Sequence, residues 1–575
     1  MLSSHVGACA CVCLTCLTWS AASAFAQPTA DDGGVRRLSG IVDEDQTWAG
    51  RVVITGDLTI EGATVAVEAG TVIEFAEARQ SGHPLLFVGS ADGSSGQLDL
   101  HGSADRPIIV RTRDQTNRGR VVVNVRSRIV TERSAESGKF QVQPPVIRPN
   151  DIAWRHVRFE NLGYVRAPRR ASQTAKVAEP AVRFNVIGDA HKLSISHCVF
   201  EACTRLEVRA ADQAEITVAN NRFLREAERV TVDIRGDGGR KPARLLNVAG
   251  NISSCAFTIG GASAQVSENI LIGLEACLVT AEGEAAETVV AGNYIHNTTT
   301  EDDGRYCVDC RNAETRFTDN IVRGGTACVL NGSRRMAGNV FIGAGHLRSR
   351  HVKIARTHQL VQTLPAGAAF EDNLLIGPAY SLLMPQPSVG RRETGGAEGP
   401  TLIRHNVFDG FSDSNRAIHL NTLGREWGAV AVWNNVFLRV GTLIYSEGKT
   451  GDTLRYADFN AAAPTPRKAF DNVQVPGIKQ GTEGWAGHNL VLNEVAALRL
   501  QGIPDAPLPD YDGDLLAGKL TITQLRRSLF DAYRPTADCP LRGAGRAERS
   551  ADGTASRPAI GIRDRVGETD PSPKR

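Results

Sequence analysis

A chain of 575 residues exceeds what one compact core usually serves, so it either divides into several globular domains or grows along one axis as a solenoid. Its hydrophobic fraction of 42% excludes disorder over most of the length, and 57 Gly with only 6% aromatic residues suit many tight turns between strands of small residues. Lys and Arg number 65 against 63 Asp and Glu, a net charge of +2, which excludes a whole-molecule field directed at nucleic acid or a membrane surface.

The chain opens on an apolar run from Val6 to Trp19, followed by Ala24-Phe25-Ala26 before Gln27. This is the pattern of an export signal over residues 1–26, although no Lys or Arg precedes the run. The run is too short to span a bilayer, and no later segment is apolar for long enough to do so. The expected location is therefore periplasmic or extracellular, with residues 27–37 a flexible start.

Residues 38–112 alternate apolar and polar positions as half-buried strands do. The phrases are Leu38-Ser-Gly-Ile-Val-Asp, Val52-Val-Ile-Thr-Gly-Asp-Leu-Thr-Ile60, Ala63-Thr-Val-Ala-Val67, Glu68-Ala-Gly-Thr-Val-Ile-Glu-Phe75 and Gly96-Gln-Leu-Asp-Leu-His-Gly-Ser-Ala-Asp-Arg-Pro-Ile-Ile-Val110. Their order resembles the opening rungs of secreted right-handed parallel β-helix proteins of the pectin-lyase-like superfamily. The resemblance implies an N-terminal β cap and a fold, and carries no catalytic residue.

Residues 111–150 and 165–176 are polar and read mainly as loops inserted between rungs. The seven basic residues from Arg111 to Arg133 fit either a polyanion-facing patch or a solvated face that charges a sheet edge.

The repeat proper is clearest from Asn251 to Ile342. Asn251-Ile-Ser, Asn269-Ile-Leu, Asn293-Tyr-Ile, Asn320-Ile-Val and Asn339-Val-Phe recur at spacings of 18, 24, 27 and 19 residues. Related turns are Val157-Arg-Phe159, Cys198-Val-Phe200, Asn221-Arg-Phe223, Asn373-Leu-Leu375, Asn406-Val-Phe408 and Asn435-Val-Phe437. A period of this size carried by strand-sized runs marks an all-β solenoid, a parallel β-helix over residues 113–500. The Asn residues read as structural: they suit the αL conformation at a turn and can bond from rung to rung. The apolar residue two places on should fill the interior. At about 4.8 Å per rung, about 15 rungs make a rod of about 70 Å.

Of the twelve Cys, Cys9, Cys11, Cys13 and Cys16 lie in the export signal. Cys255, Cys277, Cys307 and Cys328 follow turn residues on successive rungs and are expected as an internal ladder of small packed side chains. Cys307-Val-Asp-Cys310 has neither a second CxxC nor a His at ligand spacing, and Cys198, Cys203 and Cys539 have no assignable partner.

Tyr456-Ala-Asp-Phe-Asn460 and Gly487-His-Asn-Leu-Val491 read as the last, irregular rungs, and residues 501–575 as a closing segment and tail. Residues 521–533 are amphipathic enough for a short helix. Ala532 to Gly545, then Ala559-Ile-Gly-Ile562, is similar to the terminal segment of the same β-helix group, with Cys539 standing where Ser is usual.

The resemblance implies binding or cleavage of acidic polysaccharide along one flank. A lyase needs a base for the proton α to a uronate carboxyl and cations for the carboxylate itself. The cluster that fits is Arg348, Arg350, His351, Lys353 and Arg356. With Val352 and Ile354 inward, alternation sends His351 and Lys353 outward together. Lys353 is then the candidate base beside His351 and Arg356, with Arg348 and Arg350 as substrate-binding cations; a basic outer face is the competing reading. Asp302, Asp303 and Asp309, with Glu301 and His296 nearby, are the candidate Ca²⁺ ligands or paired acids, against a solvated loop. The motif sets of polygalacturonases and pectate lyases do not occur. The alternative function is a non-catalytic β-helix that binds glycans or builds an envelope surface.

Overall fold

The computed structural model describes residues 34–545 apart from stretches between elements, of which 77–82, 90–94, 135–140, 167–176, 225–230, 237–242, 281–287, 300–305, 345–356, 386–399, 422–429, 448–453 and 474–487 are the longer. The export signal, Cys277 and the tail after 545 lie outside the described residues. The chain coils as a parallel β-helix with three faces. Face one is the 12-stranded sheet from Ile152–Arg155 to Leu454–Asp458, extended at its start by a three-stranded sheet of Gln46–Trp48, Thr64–Val67 and Gln97–Leu100 through the bridge His101↔Arg155. Faces two and three hydrogen-bond as one 29-stranded sheet, because Arg51–Ile60, Val407–Asn421 and Val436–Glu447 run through the corner between them. The first strand, Val35–Val42, begins inside the stretch expected to be flexible and pairs in parallel with Arg51–Ile60.

The corner from face one to face two is the same in almost every rung. Asn221, Asn251, Asn269, Asn293, Asn320, Asn339, Asn373, Asn406, Asn435, Asn460 and Asn489 form one ladder. Each Oδ1 after the first accepts from the backbone N of the Asn below at 2.9–3.0 Å and from its Nδ2 at 2.9–3.2 Å. The expected rung-to-rung bonding is present and extends to Asn460 and Asn489. The αL conformation, however, belongs to the preceding residue: His156, His197, Asn220, Gly250, Glu268, Gly292, Asp319, Gly338, Asp372, His405, Asn434 and Phe459 have φ of 51–68°. The turn is made there, so the Asn keeps negative φ and aims its amide along the rod axis. Gly, Asn and Asp take this position at least cost.

Two places after the ladder position, Phe159, Phe200, Phe223, Leu271, Ile295, Val322, Phe341, Leu375, Phe408 and Phe437 are fully buried in the interior. Phe159, Phe200 and Phe223 stack at 4.8 and 4.9 Å, the spacing of the rungs. Cys307 and Cys328 lie in register on neighbouring strands of face three, between the pairs Tyr306↔Ala327 and Val308↔Val329. Cys255 is also a buried free thiol, but Phe257 lines up through Leu278 with Val308, so Cys255 stands one place out of that register. Among the described residues the expected ladder is found at Cys307 and Cys328 alone.

A second core lies outside the coil. Up to Arg222 the outer positions of face two carry charge, as in Arg158, Glu160 and Glu201. From Tyr294 onward most turn apolar, with His296, Arg323 and Asp409 among the polar exceptions: Ile321, Val340, Ile342, Leu374, Ile376, Val436 and Leu438 are buried there. What buries them is the C-terminal segment, with a 3₁₀ turn at Val495–Leu498 and two helices, α1 (Asp512–Leu516) and α2 (Ile522–Ala532). Leu515, Ile522, Leu525, Leu529 and Tyr533 face this sheet. The segment therefore runs back along a flank instead of closing the rod's end. α2 starts with a capping box in which the Thr521 hydroxyl accepts from Gln524 N at 3.2 Å and Gln524 Oε1 accepts from Thr521 N at 2.9 Å.

Candidate functional site

The two segments singled out by charge leave the coil at the same corner, between faces two and three. Residues 298–305, with Asp302 and Asp303, connect Tyr294–Asn297 to Tyr306–Cys310; residues 343–356, with Arg348, Arg350, His351, Lys353 and Arg356, connect Val340–Ile342 to Thr357–Val361. Asp302, Asp303 and all five basic residues lie outside the described residues. The strands that receive the segments are placed: Tyr306–Cys310 pairs with Ala327–Val329, which pairs with Thr357–Val361. The two entry points are thus two rungs apart on face three, about 10 Å. The rung between them turns the corner through Gly324 and Gly325, at φ of 83° and 69°. A Cβ on Gly324 would sit 2.2 Å from Asn297 O, so this corner stays low between two longer connections.

Asp309 is buried, and both its oxygens are engaged: Oδ2 by Arg311 Nε at 2.8 Å and Oδ1 by Asn331 Nδ2 at 2.6 Å. A Ca²⁺ ion would have to compete with the Arg311 cation for this carboxylate. Other acids on the outer faces are held in the same way. Glu207, on face three, meets Arg183 at 2.5 Å and Arg209 at 2.9 Å, with Arg205 beyond. Burial pushes its carboxyl up, but the arginines outweigh burial and hold it below the usual range. An acid kept ionised in this way cannot serve as the proton donor of a hydrolase.

His296 does not join the 301–309 acids. Its Nδ1 lies 2.9 and 2.8 Å from the two oxygens of Asp512 at the start of α1, and Tyr294 donates its hydroxyl to Asp512 Oδ1 at 2.8 Å. Asp510 brings a third ligand atom within 4.8 Å of these. The cluster has the composition of a cation site, yet its contacts already join the C-terminal segment to face two. Arg323 supports it by donating to Leu508 O at 3.3 Å, and Arg526 of α2 donates to Gly338 O at 2.9 Å and pairs with Asp319. Burial alone would raise the Asp512 carboxyl, but the hydrogen bond and charge of His296, the Tyr294 hydroxyl and Arg323 leave it below the usual range. A depressed carboxylate adds stability that is present above its unfolded value of about 4 and lost as pH falls through the folded value. Protection of the amides across 512–532 against exchange should therefore fall below about pH 4 before the ladder opens; unchanged protection through that range would refute a stabilising role for the Asp512 contacts.

A second contact of the segment centres on a fully buried carboxylate. Asp409 Oδ1 accepts from Arg439 Nε at 2.8 Å, and Oδ2 pairs with Arg439 Nη2 and accepts from the Tyr533 hydroxyl at 2.9 Å. Burial pushes Asp409 up, against the pull of Arg439 and Tyr533. Arg439→Met leaves this carboxyl without its cation and should cost about 3 kcal/mol. Its pKa would rise further, so the deficit in urea unfolding should grow from pH 5 to pH 8. An equal deficit at both pH values would mean that the pair contributes only packing.

One outward arginine on face three differs from the rest. Arg416 Cζ lies 3.6 Å from the ring centroid of Tyr445 and 4.7 Å from that of Tyr380, which is 41% exposed. His419 packs edge-on to Tyr445 at 4.8 Å, and its Nδ1 is 3.3 Å from Ser381 Oγ. Sequence reasoning missed this group because its members come from three strands, Ala379–Leu383, Val407–Asn421 and Val436–Glu447. The strand carrying Tyr380 pairs directly with Thr357–Val361, where the basic segment rejoins the sheet. No helix among the described residues is long and apolar enough to cross a membrane. Comparison with protein-family models, with curated proteins and with solved structures finds no match to this chain.

Proposed function

We propose that this chain is an exported β-helix protein of the pectin-lyase-like kind that acts on an acidic polysaccharide lying along face three, as a lyase of uronate-containing glycans. The observation that carries the reading is the shared corner: the segment bearing Arg348 to Arg356 and the segment bearing Asp302 and Asp303 enter the same sheet two rungs apart, on either side of a low turn. A linear polymer laid along the rod meets both. Lys353, as the neutral amine with His351 and Arg356 beside it, takes the proton α to the uronate carboxyl, the electron pair forms the new C=C bond, and the glycosidic oxygen leaves as a hydroxyl, taking a proton from water. Arg348 and Arg350 hold substrate carboxylates. The engagement of Asp309 by Arg311 and Asn331 leaves a Ca²⁺ requirement resting on Asp302 and Asp303, and no step is assigned to the ion.

The test is release of ultraviolet-absorbing unsaturated product from polygalacturonate, alginate and hyaluronate, each with and without a chelator. Product from at least one polymer is the expected result. Retention of a polymer without cleavage would replace the lyase by the binding reading. Neither cleavage nor retention would remove both and leave a structural surface protein.

A further inference from the structure

The geometry points to a carboxylate-reading subsite formed by Arg416, Tyr380 and Tyr445 on face three. It rests on the acidic-polysaccharide reading above and names one place where the polymer is recognised. Several other outward arginines on the coil meet acids of neighbouring rungs: Arg158 meets Glu201 at 2.6 Å, Arg183 meets Glu207 at 2.5 Å and Arg404 meets Glu371 at 2.9 Å. Among the described residues no carboxylate lies within ion-pair distance of Arg416. Its charge is met instead by the π faces of two tyrosines.

That arrangement has a chemical consequence. Rings that contact the flat face of a guanidinium fix its plane and leave its N–H edge for an anion, and Arg presents that edge as a fork matching a carboxylate in two parallel bonds. Because its conformation is already restricted by stacking, less side-chain entropy is lost when the anion arrives. Tyr380, exposed beside the fork, offers an apolar ring face to a sugar ring. The group lies one, two and three strands beyond Thr357–Val361, so a polymer following face three from the basic segment reaches it without changing direction. The ligand class is a uronate residue: a carboxylate on a ring with an apolar face.

The experiment uses the full chain, with polygalacturonate, alginate and hyaluronate as probes, each paired with its carboxyl-reduced neutral form, and reads affinity by retention in affinity electrophoresis. For the retained polymer, Arg416→Gln should weaken binding of the acidic form about 10- to 100-fold, the worth of a charge-assisted pair, and leave binding of the neutral form unchanged. Tyr380→Ala, at an exposed position, should weaken both forms in the same proportion. A purely structural role for Arg416 would change the melting temperature and affect both forms alike. Wild-type selectivity in Arg416→Gln overturns the subsite while the polysaccharide reading stands. Failure of the wild-type protein to retain any acidic polymer overturns both.

Discussion

Replacing Asn320 by Leu should destabilise the protein by about 3–6 kcal/mol in urea unfolding. The substitution keeps nearly the same volume, so the loss is polar and not a cavity. Asn320 Oδ1 accepts from Asn293 N at 3.0 Å and from Asn293 Nδ2 at 2.9 Å, while its own Nδ2 donates to Val290 O at 2.9 Å and Thr318 O at 2.8 Å. All of these are at the fully buried corner, where each group left without a partner costs about 1–3 kcal/mol. In a solenoid each rung is stabilised by its neighbours alone, so the damage should be centred on the broken interface. Amide exchange should rise first at Asn293, whose N–H loses its acceptor. The same change at Asn489, the half-buried last member of the ladder, should cost well under half as much, because water can replace what is lost. Equal costs at the two sites would show that the ladder is not a cooperative array.

Lys353→Ala should lower the rate of unsaturated product release about 10²–10⁴-fold, the usual contribution of a positioned base. Retention of the polymer should persist, since Arg348, Arg350 and Arg416 remain. A base acts on the chemical step, so kcat should fall with little change in KM, whereas Arg348→Ala should mainly raise KM. Full turnover in the Lys353 variant would remove the base assignment. Lost retention in the same variant would make Lys353 a binding cation instead.

Much of the coil was legible because its rules are local and repeat. An Asn followed two residues later by an interior apolar residue recurs from Asn221 to Asn435, with Ser253 after Asn251 the exception, and the ladder continues through Asn460 and Asn489. The helix expected over 521–533 is found as Ile522–Ala532, because amphipathic spacing and a Thr-x-x-Gln start are both local signals. The αL assignment was one residue out because Asn favours that conformation as readily as the Gly, Asp and His residues that occupy it here.

The flank covered by the C-terminal segment had a signal that went unread. In Val340-Phe-Ile342, Leu374-Leu-Ile376 and Val436-Phe-Leu438 the first and third residues are apolar as well as the second, so both sides of each strand need burial. Such triplets announce a cover without saying which part of the chain supplies it.

Residue pattern alone thus dictates a parallel coil with an Asn corner and a filled interior, because strand pairing and burial repeat with every turn. Which side chains meet across the coil was decided only on folding. His296 and Asp512 are 216 residues apart, and Tyr380, Arg416 and Tyr445 come together through parallel pairing of strands separated by insertions of unequal length. Such meetings depend on the path of the whole chain, and no local periodicity records that path.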